Sequence, residues 1–170
     1  LSLYSSFFFL KKKKELSNNK CFFKYGWYFG FGYFLFSLYW VVISLTFDKS
    51  FKLLIPLAII LLPTLLAIFY GLMTFLFSIF YSKNVISAFL IFSILFSVTE
   101  FIRGSIFTGF PWNLIAFSFT DSINFIQILS VIGTYSFNLF CISLFTIPAV
   151  FILRKSKKEI IVCSLFILVS

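Results

Sequence analysis

From Leu53 to Tyr81 the chain carries no charged residue. A helix of roughly 20 residues crosses a bilayer core of about 30 Å, so this stretch is long enough to span. Its apolar residues are continuous rather than alternating, which fits a helix and not a barrel strand. Only helices and closed barrels satisfy their backbone hydrogen bonds inside lipid, so the choice of helix is forced. Runs of the same kind lie at Tyr25 to Phe47, Val85 to Ile102 and Ile123 to Leu153, with shorter ones at Leu1 to Leu10 and Ile160 to Ser170. The expected fold is all-α, a polytopic transmembrane helix bundle. It has complete spans at about 25–47, 53–81, 85–102 and 123–153, partial spans at 1–10 and 160–170, and an outer interfacial loop at 103–122.

Composition excludes most other fold and function classes. The 170 residues are 61% hydrophobic and 11% charged, whereas soluble domains run at about 45–50% and 25%. With no histidine, no His-based triad, metal site or proton switch can be built from this chain. The acidic residues Glu15, Asp48, Glu100, Asp121 and Glu159 are scattered, and Cys21, Cys141 and Cys163 show no C-x-x-C spacing. No metal site and no cofactor are therefore expected. The chain starts at Leu1 within one apolar run and stops at Ser170 within another, which reads as a fragment. The apolar stretch 1–10 precedes the lysines, the reverse of a secretory signal, and fits the tail of a truncated span.

The charged loops orient the spans. With Lys11 to Lys24 cytoplasmic, Lys11, Lys12, Lys13, Lys14, Lys20, Lys24, Lys83, Arg154, Lys155, Lys157 and Lys158 lie inside, and Lys49, Lys52 and Arg103 outside, 11 against 3. That is the asymmetry of the positive-inside rule. It also accounts for the net charge of +9 without a nucleic-acid partner, since a basic run beside a span meets anionic headgroups. Tyr25, Trp27 and Tyr28 fall where an inner aromatic belt would lie. Pro56 sits in the first turns of its helix, whereas Pro63 lies deeper and kinks it, opening either a lateral cleft for lipid or merely an ordinary tilted packing.

Thr99 to Ser122, TEFIRGSIFTGFPWNLIAFSFTDS, differs from every other connection because it is long and still apolar. Gly104, Gly109 and Pro111 oppose one continuous helix, and Phe110, preceding a proline, is biased to extended backbone. Irregular backbone at membrane depth is tolerated only where protein or a wet cavity satisfies it, so the segment is expected to line or roof a cavity. Trp112 and Asn113 either contribute to that cavity or anchor and cap the next helix. Glu100 and Arg103, three apart, share a helix face. They form either a structural ion pair or a site at which Arg103 takes a lipid phosphate or carboxylate.

At these residues the sequence resembles the apolipoprotein N-acyltransferase family. The resemblance is carried by Glu100, Arg103 and Gly104, an E-x-x-R-G, followed by Thr108, Gly109, Phe110, Pro111, Trp112, Asn113 and Leu114. Further agreement at Gly30 to Phe34, Leu38 to Trp40, Pro56, Pro63, Tyr70, Gly71, Gln127 and Gly133 to Tyr135 extends it over most of the chain. Phe101, Ala116, Phe117 and Ser136 depart from the family's usual residues. The resemblance implies a bacterial inner-membrane enzyme of lipoprotein biosynthesis with the loop 103–122 on the periplasmic side. Its acyl donor is a phospholipid and its acceptor the α-amino group of a diacylglyceryl-cysteine on a lipoprotein, with a cysteine thioester between the two steps. The family's Glu-Lys-Cys triad belongs to a nitrilase-like domain placed after the span beginning near Ile160, so no catalytic residue is assigned here. This stretch alone is expected to be inactive and to position substrate, with Glu100, Arg103, Phe110, Pro111, Trp112 and Asn113 as candidates for a lipid cavity. A small transporter or channel subunit, or a non-enzymatic anchor, is the alternative.

The orientation has a direct test. In a cysteine-free background in spheroplasts, Asp121→Cys reacts with a membrane-impermeant maleimide, while Lys83→Cys reacts only after permeabilisation; the reverse pattern overturns the topology.

Overall fold

The computed structural model describes residues 3, 6–8, 10, 20–46, 55–106, 113–119 and 123–153. The expected partial span at 160–170, the basic loop 11–19 and the residues Phe110, Pro111 and Trp112 lie outside them. Among the described residues the regular structure is entirely helical. The helices are α1 (Lys20–Ser37), α2 (Tyr39–Leu45), α3 (Ile55–Ile79), α4 (Val85–Ser105), the 3-10 turn η1 (Ile115–Phe119), α5 (Ile123–Ile132) and α6 (Thr134–Leu153). Three of these, α3, α4 and α6, are long and apolar enough to cross a membrane. At 1.5 Å per residue they are about 30–38 Å long, matching the hydrocarbon thickness. The chain is an all-α membrane protein.

Two expected single spans are each two helices. The stretch 25–47 bends at Leu38, where the amide of Val41 reaches only three residues back, to the Leu38 carbonyl at 3.0 Å. The stretch 123–153 breaks at Gly133, whose φ of +82° is open to glycine and strained for other residues. The Gly133 amide still closes α5 onto Leu129 O at 3.0 Å, and α6 then starts in a new direction. α4 begins where Asn84 accepts the Ile86 amide at 2.9 Å, an N-cap that satisfies one orphan donor of the first turn. It continues through Ser105, so Arg103 and Gly104 are helical and the loop expected from 103 starts only after Ser105.

The described residues divide into two compact units, Asn18–Leu76 and Leu1–Ser17 with Phe77–Ser170. In the first, α1 and α3 touch backbone to backbone. A Cβ on Gly26 would collide with the Tyr70 carbonyl and the Thr74 hydroxyl, and one on Gly30 would press on Tyr70 and the Ala67 backbone. Two glycines four apart are the small-residue spacing that lets membrane helices approach closely. The closeness allows Thr74 Oγ1 to donate across the interface to Phe22 O at 2.8 Å. Rings of Phe29, Tyr33 and Phe34 surround Tyr70 at 5.1–5.9 Å. Near Pro63 an apolar cavity of about 160 Å³ lies between Leu35, Leu38 and Tyr39 on one wall and Ile59, Leu62 and Pro63 on the other.

In the second unit, Phe7, Phe77 and Phe92 form a buried ring cluster with centroids 5.2–6.3 Å apart. α4 shows which face meets lipid. Leu90, Ile94, Val98 and Ile102, four residues apart, are exposed, while Phe89, Phe92, Ser93, Phe96, Glu100 and Arg103 are buried. Both faces of its N-terminal part are apolar, so hydropathy could not separate them. Only the polar residues mark the inner side.

The two glycine environments make opposite forecasts. Gly26→Ala meets a carbonyl that cannot rotate away and should destabilise by about 1–3 kcal/mol, the usual range for overpacking. Gly32, also helical, has open space at its Cβ position, so Gly32→Ala should be neutral or stabilising by up to about 1 kcal/mol. Thermal unfolding in detergent reads both, and equal effects would contradict the close α1–α3 contact.

Candidate functional site

The last turn of α4 carries two charges on its buried side. Arg103 Nη2 donates to Glu100 Oε2 at 2.5 Å and Nε to Oε1 at 3.4 Å. This places the planar fork of the guanidinium against both carboxylate oxygens, the geometry in which a charge pair is strongest. Both side chains have 0% of their surface exposed. An isolated charge in such surroundings costs several kcal/mol or more, and pairing one helical turn apart answers most of that cost. The guanidinium of Arg103 is thus held inside the protein by Glu100.

Gly104 next to this pair has a packing role. The Tyr135 hydroxyl of α6 stands where a Cβ on Gly104 would be, and the Tyr135 ring meets Phe101 edge-on at 5.0 Å. The end of α4 and the first turn of α6 are therefore joined through the glycine of E-x-x-R-G.

The other half of the segment returns at Asn113. Its φ is +66°, a left-handed conformation that asparagine tolerates better than most residues. The turn there leads into η1, where Phe117 N donates to Leu114 O at 3.0 Å. Leu114 and Ala116 are buried with Phe137 and Cys141 of α6. Phe119 packs on Phe137 at 6.1 Å and stacks on Phe145 at 5.8 Å. One side-chain hydrogen bond crosses this contact, from the Ala116 amide to Asn138 Oδ1 at 3.0 Å. Leu114, Ile115, Ala116 and Phe119 are thus placed against α6, while Phe117 stays exposed.

Of the six candidate residues, Glu100 and Arg103 are adjacent and buried, Asn113 is half-buried at the turn into η1, and Phe110, Pro111 and Trp112 lie outside the described residues. Two residues on the α6 face that assembles the segment, Tyr135 and Asn138, were not among them. Asn138 did leave a signal: a lone carboxamide within an apolar run needs a partner, and its partner had to come from another element. The approach of Tyr135 to Gly104 joins residues distant in sequence and left no local trace. Among the described residues no cluster of His, Cys, Asp or Glu could hold a metal ion.

Residues 1–147 match the family model described as the apolipoprotein N-acyltransferase N-terminal domain. Among curated proteins, the apolipoprotein N-acyltransferase of Brucella melitensis is 36% identical over 127 residues, covering 74% of this chain and 24% of the relative. That of Rhizobium etli is 38% identical over 139 residues, 80% of this chain and 26% of the relative. That of Rickettsia prowazekii is 39% identical over 144 residues, 83% of this chain and 28% of the relative. The chain spans about a quarter of the length of these relatives. No solved structure matches it.

Removing one member of the buried pair takes away the other's counter-charge. Glu100→Leu alone should cost about 3–5 kcal/mol, and the double change Glu100→Leu with Arg103→Met should recover much of it, because both charges leave together. Unfolding in detergent micelles measures the cycle; additive losses would show that the two side chains do not depend on each other.

Proposed function

The chain belongs to the family of the apolipoprotein N-acyltransferase N-terminal domain, and from that premise we propose that it is the membrane part of such an acyltransferase in the bacterial inner membrane. The reaction proposed is transfer of an acyl chain from a phospholipid to the N-terminal amino group of a diacylglyceryl-cysteine on a lipoprotein. It proceeds in two steps. A cysteine thiolate attacks the phospholipid ester carbonyl and the lysophospholipid leaves; the lipoprotein amine then attacks the thioester, loses a proton and releases the thiol. Dividing the transfer in this way lowers each barrier. Residues 1–170 contribute no nucleophile to this chemistry. They receive and orient the two lipids, and by themselves they turn over neither.

The observation that carries the reading is the assembly of the E-x-x-R-G turn and the segment from Asn113 to Phe119 on one helix, α6. A packed, partly irregular segment bridging two spans is the kind of structure that can border a lipid path, because irregular backbone survives at membrane depth only against protein or a cavity. The apolar cavity beside Pro63 is suited to part of an acyl chain, the one ligand that hydrocarbon surroundings supply freely. Glu100, Arg103, Phe110, Pro111, Trp112 and Asn113 border the path at the periplasmic side, and the lysine-rich loops face the cytoplasm.

A photoreactive residue at position 112 tests this in the enzyme at its full encoded length. A diacylated lipopeptide should crosslink there several-fold more than at Ile94, which faces outward on α4. Equal labelling at the two positions would reduce the loop to ordinary lipid contact and overturn the proposal.

A further inference from the structure

The carboxamide of Asn138 is completely buried and only half of it is used. Oδ1 accepts the Ala116 amide at 3.0 Å, while Nδ2 has no hydrogen-bond partner among the described residues. The amide orientation is fixed by chemistry, since the Ala116 N–H can only donate. Ala116 is the second residue of η1, and the first amides of a helix have no acceptor within it. Asn138 supplies that acceptor from α6, across 22 residues of chain.

An unpaired amide donor in an apolar interior is costly, and an apolar side chain of similar shape would not carry that cost. If position 138 only filled space between Phe137, Cys141 and η1, leucine would do so without the stranded Nδ2. The acceptor at Oδ1 is what an apolar side chain cannot supply, and it acts on the loop rather than on the bundle. We propose that Asn138 is a positioning residue that holds Leu114 to Phe119, and with them the turn at Asn113, in a single placement against α6. This rests on the reading that the loop handles lipid, and it adds the residue that sets the loop's position. Asn138 touches no substrate; it acts through the Ala116 backbone.

Hydrogen exchange read by mass spectrometry, on the full-length protein in nanodiscs without substrate, tests the inference. In Asn138→Leu the peptide containing 114–119 should exchange about tenfold faster, the population change one ordinary hydrogen bond controls. Peptides from α4 and α6 should keep their parental protection. Asn138→Asp, which retains an acceptor oxygen at the same place, should return exchange of 114–119 to within about twofold of the parent. Unchanged exchange of 114–119 in the leucine variant, equal acceleration across α4 and α6, or failure of the aspartate to restore protection would each overturn the proposal. Because no lipid substrate is present, the result is independent of the acyl-transfer reading, which the crosslinking at position 112 decides separately.

Discussion

A lipid interior offers no hydrogen-bond partner, so a polar group that enters it must bring its partner along. The helices answer this for the backbone, and the hydroxyls follow. Thr64, Thr99, Ser143 and Thr146 each donate to the carbonyl four residues back, which needs no second helix and therefore says nothing about packing. Thr74, Asn138 and the Glu100–Arg103 pair answer it differently. Thr74 reaches another helix, Asn138 reaches the loop, and Glu100 and Arg103 meet each other one turn apart. The groups that find partners outside their own helix are the ones that fix how elements meet.

The two units use different means of doing so. In Asn18–Leu76 the glycine spacing on α1 brings two backbones together, and Thr74 fixes the register with one bond. In the unit containing α4 and α6 the contact is aromatic and polar, through Tyr135 over Gly104 and Asn138 beneath Ala116. Both units thus include a close glycine contact that leaves no room for an added atom, against backbone in the first and against a tyrosine hydroxyl in the second.

Existence and type of the long helices could be read from the amino-acid sequence because a continuous apolar run of about 18 residues with at most one charge admits one structure in lipid. What escaped were features to which hydropathy is blind. Gly133 stands in a run that stays apolar on both sides, so its positive φ, and with it the division into α5 and α6, changed nothing in the pattern. The bend at Leu38 has no proline or glycine at it and left no signal at all. Arg103 and Gly104 looked like the start of a loop because glycine opposes helix. The ion pair at i, i+3 suits helical backbone at that point and accompanies the helix to Ser105. Within the candidate site, the pairing of Glu100 with Arg103 was legible from spacing alone, while the α6 face that receives the loop depended on contacts 22 and more residues apart.

That division of labour bears on what the charges are for. A buried ion pair is weak evidence of stabilisation, since well-packed apolar residues in its place often do as well. Here the pair spans one turn of a single helix, and Tyr135 over Gly104 joins that same turn to α6 while Asn138 joins the loop to it. The cost of carrying two charges on a buried helix face is met in part by setting each counter-charge one turn away, and the neighbouring contacts of Tyr135 and Asn138 supply cohesion that does not depend on those charges.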